Sequence, residues 1–176
     1  MIMKPSSLIG AVEGVLRQGS VLLTSINNET YTLKGKGPDG ASIGAHYRHV
    51  LDHFLCLIEG LWDGEINYDR RARSPELEGS VHVALDATEE LIQTFRTMPV
   101  AALQQECTVI YSVGYDERET QAVHSVFARE VMFCVGHAIH HYAIVKLLCA
   151  ERAVALPYEF GIAPSTLKHL EAQAAQ

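Results

Sequence analysis

Apolar residues recur every three to four positions in four stretches of the chain, which is the period of an amphipathic helix. In the first stretch, Ser6 to about Ile26, they are Leu8, Ile9, Val12, Val15, Leu16, Leu22 and Leu23. The second runs from Ser42 to about Asp63, with Ile43, Tyr47, Val50, Leu51, Phe54, Ile58 and Leu61 on one stripe. The third, Ser80 to Met98, carries Val83, Leu85, Leu91, Ile92 and Phe95 and stops at Pro99, which has no N–H to continue a helix. The fourth opens near Ser125, a favourable N-cap, and reaches about Arg152.

The segments between them read differently. Asn27 to Gly40 and EINYDRRARSPELEG are polar, with glycine or proline punctuation, and predict loops. From Glu106 to Val126 the runs CTVIYSV and TQAVHSV are β-branched and flank YDERE, which predicts a short β-hairpin. Pro157, Gly161 and Pro164 interrupt the tail before STLKHLEAQ, a short final helix. Four helices of roughly 18 to 27 residues exceed the globular average and suit a bundle. The expected fold is therefore all-α: a four-helix bundle with long inter-helix connections, a short β-hairpin before the last long helix, and residues 1–176 in a single domain.

Composition narrows the function. With 176 residues, about 70% of the unfolded surface can be buried, enough for a core. Hydrophobic residues at 48% and charged ones at 20% exclude a disordered chain. A net charge of −7 and a single Trp62 offer neither the basic surface nor the stacking platform of a nucleic-acid binder. No apolar run of 18 residues is present, so no membrane span is expected. The N-terminus lacks a signal-peptide core and cleavage site, and a cytoplasmic protein is expected. Cys56, Cys107, Cys134 and Cys149 are scattered without a CxxC and are expected as free core thiols.

The chemistry lies in the histidines. Six of the nine fall on two predicted helices: His46, His49 and His53 on the second, His137, His140 and His141 on the fourth. His49–His53 and His137–His141 are HxxxH pairs, and i,i+4 spacing lets two imidazoles reach one ion. On a helical wheel with His137 at zero, His141 lies near +40° and Phe133, Ile144 and Leu148 within about 40°. The charged Lys146 lies near 180°. His137 and His141 are thus expected in the middle of the apolar stripe, where a buried unsatisfied polar group costs about 1–3 kcal/mol and a shared ion would satisfy both. His140, near −60°, is a poorer candidate. His46, His49 and His53 share one flank of the second helix, and periodicity does not choose among them. The competing reading is a set of core histidines bonded to backbone or carboxylates.

SIGAHYRHVLDHF on the second helix and VGHAIHHYAIV on the fourth resemble the DinB/YfiT-like proteins, as do the tail PYEFGIAPSTL and the loop NYDRRAR. The resemblance covers nearly the whole chain. It implies a divalent metal held by one histidine of the second helix and the later HxxxH pair: His49, after SIGAHYR, with His137 and His141. His53 is the main competitor of His49. The usual Arg-Gly-Gln after the last histidine is replaced here by Tyr142, Ala143 and Ile144. The resemblance further implies a metal-dependent S-transferase or isomerase using a low-molecular-weight thiol, and a homodimer, the commonest two-fold assembly.

Three neutral ligands leave open coordination positions, the catalytic pattern, and zinc, nickel or iron would accept imidazoles. Around them, Glu130 and Asp52 are candidates to orient His49. Arg71 and Arg73, with Arg70, could hold an anionic substrate. Tyr68 and Tyr142 are possible donors over the metal, and Cys134 lies close in angle. The alternatives are a non-catalytic metal- or ligand-binding module and a structural dimer with core histidines.

Overall fold

A computed structural model describes residues 5–36, 40–115 and 119–174, without the side chains of residues 5 and 6. Four long helices form where the apolar period predicts them: α1 (Pro5–Ser25), α3 (Ile43–Asp63), α5 (Val81–Thr97) and α6 (Phe127–Glu151). Between them lie two single-turn helices, α2 (Asn28–Thr32) and α4 (Pro75–Gly79), and α7 (Pro164–Ala174) closes the chain. Part of the first loop, residues 37–39, and the centre of YDERE, residues 116–118, lie outside the described residues.

The helix ends follow local chemistry. Ser42 caps α3 by accepting from the Ala45 N–H at 3.0 Å, and Ser80 caps α5. Gly64 ends α3 with φ 72°, a left-handed conformation that glycine adopts without strain, and its N–H returns to the Gly60 carbonyl. Ser125 does not cap α6 as expected. Val126 holds the N-cap position, and the Ser125 hydroxyl donates instead to the Glu130 carboxylate at 2.5 Å.

The fold is mostly helical as expected, and its β part is larger than a hairpin. The predicted hairpin forms as β2 (Glu106–Ser112) and β3 (Thr120–Val126), but β1 (Glu65–Asn67) pairs in parallel with β2. The result is a three-stranded sheet in the order β1-β2-β3. β1 is only three residues long and owes its place to the turn at Gly64 and to Ile66, fully buried beneath the sheet. Neither feature gives a period-2 signal in the sequence.

α3 is the central helix, packed against α6, α5, α4, α2 and β1, while α1 packs on α5 and α6. The short helices are pinned over its first turns. The Tyr31 hydroxyl donates to the Leu77 carbonyl at 2.7 Å, and the Asn28 side chain bonds the backbone of Gly79 and Val81. α6, at 25 residues and mean hydropathy 1.4, is long and apolar enough to cross a membrane, which the search for an unbroken apolar run did not anticipate. One of its faces is buried against the other helices at three-to-four-residue spacing.

Candidate metal centre

Packing of α3 on α6 brings their histidines together. The His49 ring lies 4.5 Å from His53, 4.9 Å from His137 and 4.6 Å from His141, centroid to centroid. His53 and His137 are 4.0 Å apart, and His137 and His141 4.6 Å. One ring nitrogen from each of His49, His53 and His137 falls within 4.8 Å of the others, a group of three that could hold a metal ion. His141 adjoins this group, but its Nδ1 lies 3.1 Å from Nδ1 of His46 in a hydrogen bond between the two rings. His140 is exposed, with its ring 5.4 Å from that of His141, edge to face.

Two nitrogens are prepared for a cation. His53 Nδ1 lies 2.8 Å from the His49 carbonyl. A carbonyl has no proton, so Nδ1 must donate, which leaves the Nε2 lone pair free as metal-binding histidines require. His137 Nε2 is buried with no hydrogen-bond partner.

The protonation state fits as well. Burial, then the neighbouring imidazoles, pushes His49 and His137 down to about 3 and His141 to about 4. His53 also moves down through burial, opposed by its backbone bond. All four are neutral at physiological pH, with lone pairs available. The same shifts set a pH dependence for the metal-free fold. These imidazoles take up protons near 6.5 when unfolded but near 3 to 4 when folded, so the unfolded state binds more protons in that window. The Tm of the metal-free protein is expected to be flat above about pH 7 and to fall as pH drops through about 6 towards 4. Calorimetry on His49→Gln should show a shallower fall.

His137 and His141 do not sit mid-stripe as the wheel suggests. The buried face of α6 is Phe127, Glu130, Val131, Cys134, Ala138, Tyr142, Val145 and Cys149, centred about 90° away from His137. Phe133, Ile144 and Leu148, which set the apparent centre, are themselves only half-buried. Both histidines are half-buried instead, with one side in the core and one open to approach.

An aromatic wall backs the cluster. The buried Tyr68 ring stacks on His53 at 5.3 Å, and Phe133 lies 5.2 Å from Tyr68 and 5.7 Å from His137. Tyr68 donates to Glu130 at 3.1 Å. Glu130, 1% exposed, also accepts from Ser125 and from Arg129 at 2.9 Å, so its oxygens are taken and none reaches His49. Asp52 pairs with Arg48 at 2.6 Å rather than with a histidine. Arg48 pairs also with Glu78 at 2.9 Å.

The remaining candidates divide. Arg71 donates to the Tyr68 carbonyl at 2.5 Å, and its charge is among those that lower His49, His53 and His137. Arg70 and Arg73 are exposed, and Arg73 borders a separate groove with Ser42, Pro75 and Glu78. Tyr142 is fully buried between Tyr47 and Phe160, a packing role rather than a donor over the metal. The Cys134 thiol faces the His53 carbonyl and the Tyr68 hydroxyl, both at 3.7 Å, and burial pushes it up to about 12. Sequence reasoning missed the wall of Phe133 and the bond that fixes the His53 tautomer. A histidine one turn after another on a packed helix was the available sign.

No family model matches the chain. Over 108 residues, 61% of the chain, it is 32% identical to a protein of Rhizopus delemar named FK506-binding protein 5. The chain spans only 28% of that protein's length. The crystal structure of a DinB-like protein, YjoA of Bacillus subtilis, superposes with a TM-score of 0.64. It is 14% identical, and the match covers 89% of this chain and 99% of that one. At that identity the likeness is one of fold: the chain has a DinB-like, mostly helical fold with a small three-stranded sheet and a three-histidine cluster that could hold a metal.

Proposed function

We propose that this protein binds one divalent metal ion through His49, His53 and His137 and uses it on a small-molecule substrate. The observation that carries the reading is the pair of prepared nitrogens, His53 Nε2 freed by the bond of Nδ1 to a carbonyl and His137 Nε2 buried without a partner. His141, released from His46 by a ring rotation, gives the second arrangement with His49 and His137. Zinc, nickel and iron all accept an imidazole set.

Bound there, the ion would hold a thiol as its thiolate at neutral pH. The chain's own residues do the rest. The three imidazoles stay neutral, Tyr68 and Phe133 form the rear wall of the site, and the half-buried flank of α6 admits the substrate. Cys56 and Cys134 are buried, and their thiols are pushed up to about 11 and about 12, so a reacting thiol would come from outside. Transfer of such a thiol to an electrophile, in a homodimer of the cytoplasm, is the fullest form of this proposal.

The test joins metal analysis to turnover. Purified protein is expected to carry close to one ion per chain and to conjugate small thiols to 1-chloro-2,4-dinitrobenzene. Metal without turnover above that of His137→Ala would leave a non-catalytic binding module, and no stoichiometric metal would leave core histidines only. Size-exclusion chromatography checks the dimer.

A further inference from the structure

We propose that Arg71 is the residue by which this centre selects its substrate, and that the substrate class is a small molecule joining a carboxylate to a metal-ligating atom. The proposal rests on the metal-binding reading above.

Arg71 lies in the loop between β1 and α4, three residues after the tyrosine whose ring stacks on His53. One of its N–H groups is fixed on the Tyr68 carbonyl, so the guanidinium is anchored beside the histidines rather than free in solvent. Its Nε is buried and has no hydrogen-bond partner. A dry, unpaired donor on a charged group is costly, more so than on a neutral one, and a ligand acceptor relieves it. Among the described residues no carboxylate pairs with Arg71. Of the two acids whose charges reach His53, Asp69 accepts from the Ser112 N–H at 2.8 Å, and Asp52 pairs with Arg48 through Oδ2 while its Oδ1 is buried without a partner and makes no bond to Arg71.

Two orphaned nitrogens thus belong to one neighbourhood: an imidazole nitrogen of His137 that can serve a cation and an N–H on Arg71 that suits an anion. Three neutral ligands leave a divalent ion its full charge, and Arg71 adds another, so the site attracts anions. The Nε edge of a guanidinium matches the two oxygens of a carboxylate in a planar fork. A ligand that places a carboxylate on Arg71 and a sulfur or oxygen donor on the ion satisfies both.

The experiment uses cobalt(II)-loaded protein and its visible absorption band, titrated with mercaptoacetate and with 2-mercaptoethanol. Chelation alone favours mercaptoacetate, so the readout is the change in the affinity ratio on substitution. Arg71→Gln is expected to lower that ratio about 10- to 100-fold, the range of a charge-assisted hydrogen bond. Arg71→Lys, which keeps the charge but not the fork, should recover only part of it. Arg73→Gln, which removes an equal charge from the separate groove, should leave the ratio unchanged. A ratio equal in wild type and Arg71→Gln overturns the proposal alone and assigns Arg71 a structural role, such as water-bridged neutralisation of Asp52. Absence of a cobalt band in the wild type overturns the metal-binding reading and this proposal with it.

Discussion

Replacing His137 with alanine is expected to weaken divalent-metal binding by more than about 100-fold, since even the outer partners of a metal ligand are worth about 10- to 100-fold. The protein should stay folded. His137 is half-buried on the flank of α6, so its removal opens a surface notch rather than a core void. Circular dichroism and metal content, measured on the same sample, check both parts. His53→Ala and His141→Ala then separate the two ligand arrangements. His53→Ala should approach the loss seen for His137→Ala, because it removes the imidazole whose tautomer is already fixed. His141→Ala should cost far less, because that ring is engaged with His46. The opposite order would place the ion on the HxxxH pair of α6.

Gly44→Ala is expected to lower Tm, by up to about 8 °C. Gly44 lies in the first turn of α3, where α4 crosses it. An added Cβ would come to 2.2 Å from the Glu78 carbonyl oxygen and 2.9 Å from a Tyr31 ring carbon. The obstacle is backbone held in place by the Asn28 bonds to Gly79 and Val81, so it cannot swing aside like a side-chain tip. Overpacking of this kind costs about 1–3 kcal/mol or more and outweighs the roughly 1 kcal/mol by which alanine favours a helix. In a chain of this size each kcal/mol moves Tm by about 2–4 °C. Gly10→Ala, where a Cβ meets nothing within 4 Å, is the control and should raise Tm slightly. Differential scanning calorimetry on the two variants decides the matter.

What could be seen in the sequence follows from which interactions are local. Ser42 and Ser80 sit beside the turns they cap, and the apolar residues of α3 and α5 repeat within one helix, so those elements are legible. The clustering of histidines on two helices was legible for the same reason. The choice between His49 and His53 was not, because it depends on how α3 packs on α6: both rings lie against His137, and His141 is turned to His46 across the interface. The parallel pairing of β1 depends on chain about forty residues away, and three residues carry no period of their own. Glu130 was expected to orient His49, but its partners Tyr68 and Ser125 lie on other elements, which a single helical wheel does not include. Hydrophobicity misplaced the centre of the α6 stripe because Phe133, Ile144 and Leu148 are apolar and yet only half-buried.

All four sulfhydryl side chains are sealed in the core, and burial raises each of them above its ordinary value. An alkylating reagent mixed with the native protein therefore meets no reactive sulfur until the interior opens. The rate at which Cys134 becomes labelled is then a clock for the parting of α3 from α6, and ligands that clasp those helices together should slow it.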